Sequence, residues 1–197
     1  SVKVAINTAE RIQNGFTLFV DIEVVHLHAS GPIAAATSTM RVFYGLDQLP
    51  RFKNHVITIG TFDGVHLGHV SIIDRLKKKA VQVEGESIII TFDPHPRRVL
   101  SPSENTIELL TTLDEKIAAL SNLNIDHLVV VPFTLAFADQ SARDYIAEFI
   151  VKHFHPNTII IGYDHHFGKN RTGNIKLMES MREEYGYALE EIPVQEI

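Results

Sequence analysis

Residues 55–69, HVITIGTFDGVHLGH, decide the fold of this chain. They begin with a β-branched run at 55–61 and pass through three glycines and two histidines, within 60–69, into an amphipathic segment at 68–83. A buried strand that leaves through a glycine-rich turn into a helix is typical of an α/β protein. We therefore expect a strand, a turn and a helix here.

The same alternation of apolar runs and amphipathic stretches continues along the chain. Further strands are predicted at 87–92, 127–131 and 158–163, with a more polar edge strand at 187–192. Further helices are predicted at 113–123, 141–153 and 174–185. Strands that alternate with helices form parallel sheets with right-handed crossovers, so the pattern predicts a doubly wound parallel sheet.

The composition is that of an ordinary globular protein. The 197 residues are 45% hydrophobic and 21% charged, and the formal net charge is −6. The acidic balance argues against a nucleic-acid-binding face, and no apolar run approaches the roughly 18 residues that cross a bilayer. The sequence has no cysteine, which excludes disulfides and thiolate metal sites. We expect a cytoplasmic protein.

The first 39 residues differ in pattern from the rest. Residues 16–25 alternate like a lone strand, and residues 29–39, ASGPIAAATST, have the composition of a linker. Met40 opens a new segment. We therefore expect an extension of unassigned fold at 1–39 and a single main module at 40–197.

Three unusual loops follow predicted strands. They are 60–69 (GTFDGVHLGH), 91–98 (TFDPHPRR) and 162–171 (GYDHHFGKNR). Ligands of open parallel sheets bind outside the carboxyl ends of the strands, where such loops meet. The three loops together therefore predict one ligand-binding site.

The first loop has the features of a phosphate site. Gly60, Gly64 and Gly68 allow the backbone to approach a ligand, and the following helix offers free N–H groups. His66 and His69, three residues apart, can share one helical face and donate to phosphoryl oxygens. A zinc pair and two packing histidines are the alternatives for these side chains.

The other two loops add charge and aromatic surface. Pro94 and Pro96 are expected to hold their segment extended and to display His95 and the basic pair after it. The aromatic, acidic and basic residues of 162–171 suit a planar ring with a charged tail. Neither the dinucleotide-binding glycine fingerprint nor a P-loop occurs in the chain.

Four blocks carry a family resemblance: GTFDGVHLGH (60–69), TFDPHP (91–96), LLTTLDEKIAALSNLNIDHLVVVPF (109–133) and IGYDHHFGKNRTGN (161–174). In order and spacing they resemble the adenylyltransferase module of bacterial bifunctional riboflavin kinase/FAD synthetases, over about residues 40–197. The resemblance implies a Rossmann-like fold of the nucleotidyltransferase type. It also implies transfer of AMP from ATP to FMN, which gives FAD and pyrophosphate.

The resemblance assigns site residues by matching motifs. The phosphate-binding, catalytic histidines correspond to His66 and His69. The nucleotide-binding residues correspond to Gly60, Phe62, Asp63, Gly64, Asp93 and His95. The flavin and phosphate pocket corresponds to Gly162, Asp164, Phe167, Gly168 and Arg171. The resemblance further implies Mg²⁺ bound chiefly through ATP, with no protein metal site and no protein nucleophile.

Two departures from the family pattern affect the expected activity. The family continues its fifth strand into a Ser/Thr-rich element with an arginine, and a riboflavin kinase module follows; the sequence ends at Ile197, before both. If the chain ends there, we expect nucleotide and flavin binding with weak or absent adenylyl transfer. The alternatives are a nucleotidyltransferase with another phosphorylated acceptor and a non-catalytic flavin or nucleotide-binding module. The sequence leaves the oligomeric state open.

Overall fold

A computed structural model describes residues 3–6, 20–25, 40–64, 67–101 and 109–193. Within these residues the strands form one sheet in the order β1-β2-β3-β6-β5-β4-β7-β8. The strands are β1 Lys3–Ile6, β2 Val20–Val25, β3 Met40–Tyr44, β4 Val56–Ile59, β5 Ser87–Phe92, β6 His127–Val131, β7 Thr158–Gly162 and β8 Ala188–Ile192.

In the described part of the chain, six helices connect or flank these strands. They are α1 Leu67–Gln82, α2 Pro96–Leu100, α3 Leu113–Ser121, α4 Leu135–Ala138, α5, and α6 Ile175–Tyr185. Helix α5 is continuous from Ala142–Asp144 through π-helical turns at Tyr145–Val151 to Lys152–Phe154. A short 3₁₀ turn lies at Lys169–Arg171.

The strands from β3 to β8 are parallel, as the sequence predicts, so the doubly wound parallel sheet is confirmed. The two N-terminal strands extend this sheet in antiparallel fashion. The strand predicted at 16–25 is therefore not alone, because Val20–Val25 pairs with β1 and with β3. Residues 16–19 and the predicted linker at 29–39 lie outside the described residues.

The strand order reverses at β4. Strands β5 and β6 follow it on one side and β7 and β8 on the other, with Ile57 of β4 opposite both Ile88 and Ile159. In such sheets the crevice between the carboxyl ends of the two strands at the reversal is the ligand site. The fold therefore directs attention to the loops after β4 and β7.

Helices cover both faces of the sheet. Helices α1 and α3 bury Ile73 and Leu120 on one face, and α5 and α6 bury Phe149 and Met178 on the other. All six residues of β5 are buried, as expected for a strand that is covered on both sides. This two-sided burial explains the nearly continuous isoleucine and valine runs by which these strands were predicted.

The predicted elements agree with the structure to within about two residues, but four elements were not predicted. They are strands β1 and β3 and the short helices α2 and α4. The expected extended segment at 94–96 ends earlier, because His95 is the N-cap of α2 and Pro96 occupies its first turn. Proline is well tolerated there, since the first N–H groups of a helix have no intrahelical partner.

No helix among the described residues has the length and apolarity needed to cross a membrane.

Two histidines are buried at the amino-terminal ends of the strands. His55 and His127 are each only 4% exposed, and the ring of Phe52 lies 5.4 Å from the first and 4.9 Å from the second. His127 Nε2 is 3.0 Å from Glu86 Oε1. Burial lowers the pKa of His55, and backbone contacts with Phe154 and Phe52 oppose this effect.

We predict an acid-sensitive contribution of His55 to stability. Because its folded-state pKa lies below the unfolded value of about 6.5, its stabilisation is complete above that pH and falls as the pH drops, by at most roughly 1.4 kcal/mol per pH unit. Urea titrations between pH 7.5 and 5 should show a flatter profile for His55→Gln than for the wild type. The exposed His155→Asn serves as the control. Parallel profiles for wild type and His55→Gln would contradict the prediction.

Candidate active site

A cleft of about 1210 Å³ opens at the carboxyl ends of β4 and β7. It is lined by the loop after β4, by α2 and α4, and by the loop after β7. Eight of the residues expected at the site meet in it: Gly60, Phe62, His69, Gly162, Asp164, Phe167, Gly168 and Arg171. The structure therefore brings the first and third predicted loops together.

The loop after β4 is fixed by its own phenylalanine. The Phe62 ring is 2% exposed and belongs to the core beneath α1, although its backbone has a φ of +47°. The ring lies 4.9 Å from the ring of His69. A Cβ atom on Gly60 would come within 3.1 Å of the Phe62 ring, so a side chain there would press on the ring and displace it by a few tenths of an ångström. Phe62 thus shapes the turn mainly from within the core.

His69 is held against the same loop. Its Nδ1 lies 3.1 Å from the carbonyl oxygen of Gly64, and the Gly64 amide donates to Thr111 Oγ1 at 3.3 Å. These contacts orient the imidazole at the wall of the cleft. The other predicted histidine, His66, lies outside the described residues.

The loop after β7 rests on the start of α5. The Phe167 ring stacks on Tyr145, with ring centroids 4.8 Å apart, and Lys169 N donates to the Gln140 carbonyl at 2.7 Å. Gly168 packs directly on the backbone of Ala142. The core therefore holds this loop at its apolar side, while its polar side chains face the cleft.

An aromatic wall separates this loop from β5. Phe133 and Phe137 line the cleft, with ring centroids 5.5 Å apart, and Phe133 contacts Phe92 at 5.6 Å. Phe137 also lies 5.9 Å from Tyr145. The sequence analysis did not assign these residues, although two phenylalanines four apart directly after β6 are a usable signal. The wall offers an apolar surface that suits a planar ring.

His165 is a further side chain at the cleft that the sequence analysis did not assign. Burial lowers its pKa to about 4, and its ring centroid lies 5.6 Å from that of Phe167. Its imidazole is therefore neutral near pH 7. The positive charges that line this cleft come from Arg97, Lys169 and Arg171.

The middle loop contributes to a smaller neighbouring pocket. Asp63, Asp93 and His95 line a pocket of about 200 Å³, together with Lys116 and Arg98. Burial lowers the pKa of His95, and the charge of Asp63 opposes this effect. The structure thus separates these three predicted nucleotide-binding residues from those lining the large cleft, although Phe92 borders both spaces.

Neither pocket shows a protein metal centre among the described residues. No group of three or more histidine or carboxylate side chains in that part of the chain is placed to hold a metal ion. In the smaller pocket the two carboxylates face the cations Lys116 and Arg98. That donor set does not suit a dedicated cation site.

Substitution of Gly168 tests how the loop after β7 is seated. A Cβ atom there would lie 2.7 Å from Ala142 Cα, whereas one on Gly186, which has the same φ of +71°, would meet nothing within 4 Å. Each alanine adds left-handed strain of about 1–2 kcal/mol. We predict that Gly168→Ala lowers the free energy of unfolding by at least about 1 kcal/mol more than Gly186→Ala. Equal losses in urea titrations would contradict this packing.

Comparison with known proteins supports a specific family. The family model for FAD synthetase matches residues 49–197. Similar curated proteins include one from Listeria monocytogenes, 35% identical over 62% of this chain and 38% of that protein. One from Buchnera aphidicola (Schizaphis graminum) is 32% identical over 78% of this chain and 49% of its own length. Both are called bifunctional riboflavin kinase/FMN adenylyltransferase, and this chain spans half their length or less.

A solved structure shares the fold. The crystal structure titled macrolide-efflux protein from Streptococcus pneumoniae matches with a TM-score of 0.65 over 77% of this chain and 50% of that chain. At 20% identity this likeness supports the architecture alone. The family match, which includes both loops of the cleft, confirms the resemblance of the four sequence blocks. The chain belongs to the FAD synthetase family.

Proposed function

We propose that this chain transfers the AMP moiety of ATP to the phosphate of FMN, which gives FAD and pyrophosphate. The observation that carries the proposal is the meeting, in one cleft, of the glycine turn that holds His69 and the loop 162–171. Both segments lie within the FAD synthetase match. The cleft volume of about 1210 Å³ exceeds that of a typical single-ligand pocket, as two nucleotide substrates require.

In this proposal the turn after β4 binds the phosphates of ATP. His69 donates from Nε2 to a phosphoryl oxygen as an imidazolium, because its Nδ1–H is directed at the Gly64 carbonyl. His66, three residues earlier in sequence, donates in the same way, while Gly60 and Gly64 give the backbone a close approach. Because the Gly64 carbonyl is 3.1 Å from His69 Nδ1, the imidazole is oriented before substrate arrives. Such preorganisation is what electrostatic catalysis requires.

The opposite side of the cleft would receive the flavin. Phe133 and Phe137 supply apolar surface for the ring system, and Arg97 and Arg171 supply positive charge for the FMN phosphate. The neutral His165 adds a polar group without adding charge. Asp164 and Gly168 complete the pocket wall on this side.

The chemical step needs no protein nucleophile. An oxygen of the FMN phosphate attacks the α-phosphorus of ATP, a new P–O bond forms, and the bond to the β-phosphate oxygen breaks as pyrophosphate leaves. The protein holds the two anions in line and stabilises charge on the leaving group. Mg²⁺ enters with ATP as part of the substrate, and no step is assigned to a metal held by Asp63 or Asp93.

Three further points belong to the proposal: where the module begins, the kinase activity and the location of the protein. The adenylyltransferase module is taken to begin at Met40, because β3 pairs in parallel with β6. A riboflavin kinase activity, which the names of the relatives include, is assigned to no residue of this chain. The absence of cysteine is compatible with a reducing compartment, and the proposed location is the cytoplasm.

The direct test is product formation from FMN, ATP and Mg²⁺. We expect FAD and pyrophosphate in equal amounts, measured by chromatography and a coupled pyrophosphate assay. Phosphopantetheine and nicotinamide mononucleotide, offered in parallel with labelled ATP, should accept no label. Labelling of either compound instead of FMN would identify a different nucleotidyltransferase. Saturable binding of FMN and ATP without pyrophosphate release would identify a binding module.

His69→Ala should reduce turnover more than substrate affinity. The imidazole is proposed to stabilise charge that develops in the transition state, so we expect kcat to fall by on the order of 100-fold while the KM for ATP changes several-fold at most. His66→Ala should act in the same direction. The control is His153→Ala, an exposed position on α5. An effect confined to the KM for ATP would contradict this role.

A further inference from the structure

We infer that Thr111 and Lys116 are positioning residues that hold the phosphate loop, residues 60–64, for the reaction. Both belong to the block 109–133, in which the roles proposed above use Phe133 but neither of these two residues. The inference rests on the proposed function. Its physical basis is a set of hydrogen bonds that reach the loop from the segment around the start of α3.

Lys116 donates a hydrogen bond to Thr61, near the beginning of the loop. Its side chain is 5% exposed, and Nζ donates to the Thr61 carbonyl at 2.5 Å and contacts Thr91 Oγ1 at 3.4 Å. Thr91 Oγ1 also donates to the Thr61 carbonyl, at 3.1 Å. One ammonium group therefore connects α3 to the carboxyl ends of both β4 and β5.

Burial of a lysine is unfavourable unless its charge is compensated. Burial lowers the pKa of Lys116, and the charges of Asp63 and Asp93 oppose this effect. A buried charge held by such contacts contributes little net stability compared with a well-packed apolar side chain. The ammonium group instead fixes the geometry of the loop, because the Thr61 carbonyl accepts from two donors, Lys116 Nζ and Thr91 Oγ1.

Thr111 holds the other end of the loop. Its Oγ1 accepts the Gly64 amide at 3.3 Å, its backbone N–H donates to Asp63 Oδ1 at 3.1 Å, and its hydroxyl lies 3.4 Å from the same oxygen. A single residue therefore bonds to two consecutive residues of the loop. Its hydroxyl can accept from one and donate to the other at the same time.

These bonds matter because the loop has an unfavourable backbone conformation. Phe62 has a φ of +47° and Gly64 a φ of +64°. A non-glycine residue keeps such a conformation only where its surroundings determine it. The Gly64 carbonyl in turn contacts His69 Nδ1 at 3.1 Å. A displacement of Gly64 would therefore move the proposed catalytic imidazole.

The test uses two adjacent threonines with different contacts. Thr111→Val removes the hydroxyl that contacts the loop, Thr111→Ser keeps it, and Thr112→Val removes a hydroxyl that serves as the N-cap of α3 and bonds to Glu115. We expect Thr111→Val to lower kcat for FAD formation by on the order of 10-fold with little change in the KM for FMN. Thr111→Ser should restore kcat, and Thr112→Val should lower the melting temperature without lowering kcat.

A second measurement does not depend on turnover. Amide hydrogen exchange at Gly64, whose N–H donates to Thr111 Oγ1, should accelerate in Thr111→Val and stay at the wild-type rate in Thr111→Ser and Thr112→Val. Lys116→Met should accelerate exchange across the loop, and if that variant does not fold, the threonine variants still decide the question.

The outcomes separate this inference from the proposed function. A wild-type protein that forms no FAD would overturn the proposed function, on which the inference rests. A wild-type protein that forms FAD, together with a Thr111→Val variant no slower than Thr112→Val, would overturn the positioning role alone. Unchanged exchange at Gly64 in Thr111→Val would overturn it as well.

Discussion

Burial of the Phe62 ring is the constraint on which the candidate site depends. The ring fills the core beneath α1 while its own backbone turns with positive φ, and the carbonyl of Gly64, two residues further along the turn, contacts His69 Nδ1. The ring also lies close to Gly60, where an added Cβ atom would come within 3.1 Å of it. The turn that faces the cleft is therefore fixed from the core side, so packing of this face and the geometry of the site are coupled.

Local charge, rather than net charge, matches the proposed anionic substrates. The chain has a net charge of −6, yet Arg97, Lys169 and Arg171 line the large cleft. Lys169 is partly compensated by Asp139, at 2.7 Å. Interactions between exposed charges decay within about 10 Å at ordinary ionic strength, so the distant acidic residues weaken binding at the cleft only slightly.

Much of the fold was predictable because strands buried on both faces leave a strong signal. Strands β5 and β6 have the predicted bounds, and Thr112 caps α3 as its position before two acidic residues indicates. Strand β3 was missed because Met40–Tyr44 contains an arginine and a single β-branched residue, whereas β6, of the same length, contains a continuous run of leucine and valine. Helix α2 was missed because its prolines indicate an extended segment as readily as a helix start.

The site was harder to predict than the fold, since it depends on contacts between segments distant in sequence. Lys116 follows Asp114 and Glu115, which is the pattern of a solvated helix start, and only its packing against β4 and β5 makes it buried. The same holds for His95. Its local sequence indicates an exposed side chain on an extended loop, whereas in the structure His95 is buried and lines the same pocket as Asp63.

In the doubly wound fold, the two faces of the sheet support different parts of the proposed reaction. The turn that holds His69 packs on the α1 and α3 side, whereas loop 162–171 and Phe137 pack against α5 on the other. The two halves meet where β4 pairs with β7, and the register of these two strands, whose paired residues are buried isoleucines, threonines and a valine, fixes the distance between them. Because each half rests on its own core, substitutions on the α5 side can alter the acceptor pocket while leaving the phosphate loop intact. Under the proposed function, acceptor preference and phosphate chemistry are in this way expected to be separable.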